Sequence, residues 1–406
     1  MIKVLFISYD GMTDALGQSQ VIPYLQGLSE KGCDVTILSA EKKENYNLNK
    51  EIIDIILKKS NIKWEPVIYH KNPPVFSTLL DIYFLKQKAK KLYLTNSYDI
   101  IHCRSYISAL IGLYLKKKFK AKFIFDMRGF FPDERVDGEL WDQNKIIFAK
   151  IYKYFKKKEK DFLQNADYTI SLTRNGRDEI NKWNIKNLSP IHVIPCCADI
   201  DFFSQNNVSL KEKLDWANLL GIKKDDFVLS YIGSLGTWYL MEEMLDFFKQ
   251  LLIKKSNAKF LFITKEPKEM IFKYAKDKNI PLDKIIVKNT ERKDMPSLIS
   301  LSDVSIFFIK PAFSKKASSP TKMGEIMSMG IPIICNSGVG DVECIVNDTN
   351  AGYLINEFTD ENYNKAIDNL DNILNIEKSK IIEGAQKYYS LNNGVEEYFK
   401  VYNKLI

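Results

Sequence analysis

Apolar runs of four to eight residues alternate along this chain with longer stretches whose apolar positions return every third or fourth residue. "IKVLFIS" (2–8) leads into a loop, "YDGMTDALGQSQ", and then a helical "VIPYLQGLSEKG". "DVTILS" (34–39), "DIIHC" (99–103), "KFIFDM" (122–127), "YTISLT" (168–173) and "IHVIPC" (191–196) continue the series. The plan then restarts with "FVLSYIGS" (227–234), a Gly-containing loop and the helical "LMEEMLDFFKQLLIKK". "KFLFIT" (259–264), "KIIVKN" (284–289), "VSIFFIK" (304–310), "IPIIC" (331–335) and "GYLI" (352–355) follow. Strands alternating with helices predict parallel sheets covered on both faces, an α/β class. The restart predicts two doubly wound domains, 1–200 and 201–385, with a last helix at 386–406 expected to pack back on the first. Ligands of such sheets bind beyond the carboxyl ends of the strands, so two facing domains predict a cleft.

Within the second half, "SSPTKMGEIMSMGIPII" (318–334) is locally well formed as a helix running into a strand. Ser319 is a good N-cap, Pro320 sits where a missing N–H costs nothing, and Gly330 can close the end. The start of such a helix, Ser319 to Lys322 with Thr321 between, binds anions through its free N–H groups and dipole. Glu325 lies about five residues inside, roughly 7–8 Å along the axis. One helix can then hold a phosphate at its tip and a ribose by its acid. An ordinary capped helix with a solvated Glu is the alternative on spacing alone.

With 406 residues, two domains of ordinary size can each bury a core. No apolar run approaches the ~20 residues needed to span a bilayer. Because the chain opens directly on a strand pattern, no leader is expected and a cytoplasmic location is. Six cysteines, at 33, 103, 196, 197, 335 and 344, form no CxxC pair, which fits reduced thiols and no metal site. The net charge of +8 is uneven: "KIIFAKIYKYFKKKEK" (145–160) holds seven lysines and one glutamate among aromatic and aliphatic residues. This segment suits an anionic membrane surface, peripheral at the inner face; a solvated helix packing its Ile, Phe and Tyr inward is the alternative. Nucleic acid is not expected, since no binding motif accompanies the charge.

Neither GxGxxG after a strand nor GxxxxGK[ST] is present. "DID" (199–201) mimics paired metal-holding aspartates but lies in the connection, and reads as a decoy. In "GSLGTWYLMEEML" (233–245), Gly233 and Gly236 permit close backbone approach to a ligand, and Ser234 and Thr237 add hydroxyls. Arg104, Arg128, Arg135 and Arg174 each follow a predicted strand and suit bidentate contacts with carboxylate or phosphate. Scaffold ion pairs with Asp126, Asp133, Glu134 and Asp178 are the other reading. His102 ends a strand directed at the cleft, which makes it a catalytic candidate with Arg104 and Arg128.

Taken together, these features resemble the retaining family-four nucleotide-sugar glycosyltransferases of the GT-B fold, two Rossmann-like domains facing across a cleft. "GEIMSMGIPIICNSGVGDVECIVNDTNAGYLI" is similar to the family's donor signature, and "DIIHCRS" and "IPCCADIDFF" to other family segments. The resemblance implies that Glu325 binds donor ribose, that Gly338, Val339 and Gly340 form a turn near it, and that the loop around Gly17 closes over the donor phosphates. It also implies transfer from a nucleotide-sugar donor to a glycan or lipid-linked acceptor, with no cofactor and no metal. Three positions depart from the pattern: Ala317 replaces a glutamate, "GSLGTWY" lacks the usual Arg and Lys, and Arg104 replaces a second histidine. Lys322, Lys265 and the arginines are the candidates to hold the phosphates instead. A CMP-activated acidic sugar, a nucleotide-sugar epimerase and a non-catalytic binding protein remain alternatives at this stage.

Overall fold

The computed structural model describes residues 1–406 and divides into two compact units. The first comprises Met1–Cys196, Lys316–Ser318 and Leu391–Ile406; the second comprises Cys197–Lys315 and Ser319–Ser390.

Seven parallel strands make the sheet of the first unit: β1 (Ile2–Ser8), β2 (Cys33–Lys42), β3 (Lys63–Tyr69), β4 (Ile100–Arg104), β5 (Lys122–Asp126), β6 (Tyr168–Ser171) and β7 (Ile191–Val193). Their order is β3-β2-β1-β4-β5-β6-β7. The second unit repeats the plan with β8 (Phe227–Ile232), β9 (Ala258–Ile263), β10 (Ile285–Lys288), β11 (Val304–Phe307), β12 (Ile333–Asn336) and β13 (Gly352–Ile355), ordered β10-β9-β8-β11-β12-β13. Both are doubly wound sheets whose winding direction reverses beside the first strand, which is where ligands of this architecture bind. β8 is buried along its whole length and β1 from Val4 onward, as expected of strands covered on both faces.

Several expected elements shift. β3 was not anticipated, because "KWEPVIY" is only partly buried and carries a proline and two charges. The runs ending at 173, 196, 234 and 310 leave their strands two or three residues early and turn into loops. "IPIIC" pairs only from Ile333, so the strand is Ile333–Asn336. Asp199 of "DID" has a local structural role, accepting the Phe202 N–H at 3.1 Å.

Gly17 is a correction of a different kind. It lies inside the helix Ala15–Gln20 rather than in a loop, and it is buried. A Cβ there would stand 2.1 Å from the Gly11 carbonyl oxygen and 2.7 Å from Met12 Cα, both backbone atoms that cannot swing away. Gly17→Ala is therefore expected to destabilise the protein by about 1–3 kcal/mol or more through overpacking. A urea unfolding midpoint equal to that of the parent would contradict this account.

The helix Leu391–Asn403 belongs to the first unit and buries Val395, Tyr398, Val401 and Tyr402 there. Tyr398 OH donates to Asp126 Oδ2 at 2.9 Å, and Tyr402 OH lies 2.7 Å from His102 Nδ1. Glu397 reaches His192 Nε2 at 2.6 Å.

Candidate functional site

In the second unit, the end of β8 and the start of the helix Thr321–Ser328 meet through Lys322, which contacts Tyr231 and lies beside Gly233. β8 gives way to Gly233 at φ +108°, a conformation that favours glycine. A Cβ at Gly233 would also lie 3.1 Å from Lys322 Nζ. Lys322 is 8% exposed, donates to Tyr231 OH at 2.9 Å, and lies over the rings of Tyr239 (3.6 Å) and Tyr231 (4.2 Å). No carboxylate is within ion-pair reach of it. Burial among aromatic rings pushes its ammonium well below the usual lysine range, and only the more distant charge of Glu325 opposes this.

One turn along the same helix face stands Glu325. It is half-buried rather than solvated, and enough protein surrounds its carboxyl for desolvation to push it up, against the pull of Arg292 and Lys322. The helix begins at Thr321, with Pro320 at the N-cap and no side-chain cap. Ser319, expected as the cap, precedes it and is partly buried. Gly330, at φ +65°, follows the helix as anticipated. After β12, Gly338 and Gly340 take positive φ around a buried Val339, and the Gly340 N–H donates to the Lys315 carbonyl at 2.8 Å. Asn336 fastens the end of β12, accepting the Ile309 N–H at 2.8 Å and donating to its carbonyl at 2.9 Å.

The 234–237 loop is more open. Ser234, Gly236 and Thr237 are exposed, and a Cβ at Gly236 would meet empty space. Lys265 is exposed two residues beyond β9. Three contributors were not read from the sequence: Lys315, buried with Nζ 3.5 Å from the Trp238 ring centre, Tyr239, and Arg292, whose charge acts on Glu325. Their signal was weak, since a lysine beside an aromatic loop in sequence does not announce a stacked contact.

The first unit gathers a separate cluster where β1, β4 and β5 lie side by side. Ser8, Arg104 and Asp126 are in register across these three strands. Arg104 ends β4, is 4% exposed, and its Nε donates to Asp10 Oδ2 at 3.2 Å. His102 does not end the strand. It lies two residues inside, 1% exposed, between Tyr402 OH and Asp126 Oδ2 (3.4 Å) and against the ring of Phe6. Burial lowers its proton affinity, with Asp126 opposing. Asp126, which burial alone would push up, is held below the usual carboxylate range by Arg128, His102 and Arg104. Arg128, at φ +57°, donates to Cys196 Sγ at 3.1 Å and faces Asp126 Oδ1 at 3.9 Å. Arg128 Nε and Asp126 Oδ1 make no hydrogen bond.

The four arginines do not share one rim. Arg174 is exposed at the start of the helix Arg174–Lys182, and Arg135 stacks on Phe131 within the helix Phe131–Asp137. Asp133 pairs with Lys156 at 2.8 Å and Asp178 with Arg177 at 2.9 Å, so the expected scaffold pairs form mostly with other partners.

Comparison with known proteins agrees with this division. Residues 20–202 match the model of "Glycosyltransferase Family 4", and residues 212–387 that of "Glycosyl transferases group 1". No curated protein sequence matches the chain. Among solved structures, sucrose-phosphate synthase from Thermosynechococcus elongatus aligns at TM-score 0.73 and 14% identity, covering 100% of this chain and 99% of that one. Anabaena HepE in complex with UDP-glucose aligns at 0.71 and 12%, covering 100% of both. A glycosyltransferase from Rickettsia africae aligns at 0.71 and 14%, covering 100% and 98%. At such identities these neighbours speak for the fold.

Proposed function

The chain belongs to the GT-B glycosyltransferases, and on that premise we propose that its second unit holds a nucleoside-diphosphate sugar whose glycosyl group passes to a hydroxyl of a glycan or lipid-linked acceptor. The observation that carries the donor reading is Lys322: a buried cation with no carboxylate partner, one turn before a half-buried acid. An anion completes that arrangement. In the proposed complex, Lys322 and the first amides of the Thr321–Ser328 helix take the diphosphate, Glu325 accepts from the ribose hydroxyls, and the Gly338–Gly340 turn lies against the nucleotide. As the bond from sugar to phosphate breaks, the leaving oxygen gains the electron pair and negative charge. Lys322 and the helix dipole stabilise that charge, and the acceptor oxygen bonds to the sugar carbon while its proton passes to the leaving phosphate oxygen. We read the transfer as retaining and as needing no metal, following the Family 4 match of the first unit.

A CMP-activated acidic donor would follow from the lack of Arg and Lys in "GSLGTWY" together with Arg104, Arg128 and Arg174 meeting an acidic sugar. Arg104 and Arg128 are engaged by Asp10, Asp126 and Cys196, which favours the diphosphate donor. HepE is described with UDP-glucose, which makes UDP-sugars the first to try. Thermal-shift screening of UDP, GDP and CMP with their sugars tests the assignment. A ligand at 100 times its dissociation constant should add about 2.7 kcal/mol of stability. Stabilisation by UDP or GDP compounds is expected; stabilisation by CMP-sugars alone would overturn the diphosphate reading.

We also propose that the 145–160 segment brings the enzyme to an anionic membrane, where lipid-linked acceptors reside. Of its seven lysines, Lys145, Lys150, Lys153, Lys157 and Lys160 are exposed, as are Ile146 and Ile147. Lys156 and Lys158 are tied to acids on the protein itself. No helix is long and apolar enough to cross a membrane.

A further inference from the structure

The helix Phe76–Asn96 is apolar on two opposite faces. Leu85, Ala89 and Leu92 are buried on the core side. On the other side Phe76 (71% exposed), Leu79 (58%), Leu80 (42%), Tyr83 (55%) and Phe84 (41%) recur at the spacing of a single helical stripe. Side chains this large, contiguous on one helix face, mark a surface that something covers.

This exposure is fixed by the packing rather than by slack. Asp81, on the opposite face and fully buried, accepts from Tyr9 OH at 2.8 Å and from the His70 backbone N–H at 3.2 Å, and lies 2.6 Å from His70 Nδ1. Rolling the helix to bury the stripe would break those bonds and strand a buried carboxylate.

Charge identifies the occupant. The helices Phe76–Asn96, Ser105–Phe119 and Ile146–Asn165 form one layer, the middle one packed against both others, with Tyr93 against Phe119 and Tyr106 against Phe155. They carry four, three and six lysines respectively, against one, no and two acids. The acids are Asp81 and Glu159, both buried, and Asp161, paired with Lys158. Acids outside the three helices pair with three of these lysines, Glu65 with Lys88, Asp167 with Lys116 and Asp133 with Lys156, and the layer still keeps a clear positive excess on a chain whose net charge is +8. The first two helices follow β3 and β4 directly, and the third, after the short helix Phe131–Asp137, leads into β6, so all three run from the carboxyl edge of the parallel strands back toward their amino edge. The exposed stripe of the first and the exposed Ile146 and Ile147 of the third therefore share the carboxyl edge.

From this combination we propose that the outward face of the Phe76–Asn96 helix lies in the headgroup region of an anionic lipid membrane, apolar side chains inserted and the lysines of the layer on the phosphates. The proposal rests on the membrane reading above and adds the inserting surface to it. A second copy of the chain is a poor occupant, because a two-fold contact across this layer would bring its lysines against their own kind.

Vesicle sedimentation separates the two ideas. The probes are vesicles of phosphatidylcholine with phosphatidylglycerol, and vesicles of phosphatidylcholine alone, each at low and high salt. The parent should bind the anionic vesicles and keep a salt-resistant fraction. Phe76→Ser/Leu80→Ser/Tyr83→Ser should lose that fraction and bind about tenfold less tightly or worse. It should melt like the parent, since the three side chains are exposed. Lys150→Gln/Lys153→Gln/Lys157→Gln should mainly lose the salt-sensitive part. If the apolar triple variant sediments like the parent while the lysine variant does not, the basic-segment reading stands and the insertion proposal falls. If the parent binds no anionic vesicle, both fall. A stable dimer in solution that the apolar variant converts to monomer would assign the stripe to self-association and overturn the proposal.

Discussion

Lys322→Met is expected to lower kcat/KM by about 10²–10³-fold, the usual loss when one preorganised charge stabiliser is removed. Stability should not fall with it. Lys322 is buried without a counter-ion among Tyr231 and Tyr239, and a methionine of similar length removes a desolvated cation while keeping the packing. An inactive variant whose melting temperature equals or exceeds that of the parent is the expected result. Parent-like kcat/KM would remove Lys322 from the donor site. The same residue gives binding a pH dependence. In the empty site burial depresses the lysine, and a bound diphosphate raises it again. Between the two values binding takes up a proton, so affinity falls as pH rises through that window. Calorimetry in two buffers of different ionisation enthalpy reads that uptake directly, and Lys322→Met should abolish it.

Glu325→Ala should raise the dissociation constant for a nucleoside diphosphate by the worth of two charge-assisted hydrogen bonds, about 2–4 kcal/mol. The test that isolates the role compares UDP with its 2′,3′-dideoxy analogue. The parent should prefer UDP strongly, and the variant should bind both alike. A variant that keeps the preference would show that another group reads the ribose. Because desolvation raises the Glu325 carboxyl while Arg292 and Lys322 restrain it, its accepting, charged form is lost as pH falls through that raised value. Nucleotide affinity should therefore decline on the acid side as well.

Much of the second unit's site was legible because it is built from consecutive residues. Helix spacing alone put Glu325 a short way behind an anion-binding start that includes Lys322, and Gly330 marks the end of that helix in the sequence as in the structure. Gly233 was readable as a place of close backbone approach, and the structure sets the Lys322 side chain against it. The failures share a cause, which is partnership between distant residues. His102 looks like a rim residue until Tyr402, three hundred positions away, closes over it. Arg104 and Arg128 look free until Asp10 and Cys196 are brought to them by the sheet register. Gly17 suggests a flexible loop, whereas Gly11 and Met12 pressing on it require the missing side chain. The stripe from Phe76 to Phe84 escaped notice for the opposite reason. In sequence it is indistinguishable from a core face, and only the burial of Leu85 and Ala89 on the other side shows which half faces outward.

The first unit draws on both ends of the chain, with Leu391–Ile406 supplying Tyr398 and Tyr402 to a polar centre otherwise made by β4 and β5. On the ribosome Met1–Cys196 emerge well before Leu391–Ile406, the piece that covers His102 and Asp126, because most of the second unit lies between them in sequence. While the intervening second unit is being made, that ionic group lacks its cover. The nascent first unit must wait for the second to be made before it can be finished, and a ribosome that stops short of Leu391 releases a chain with an unsealed core.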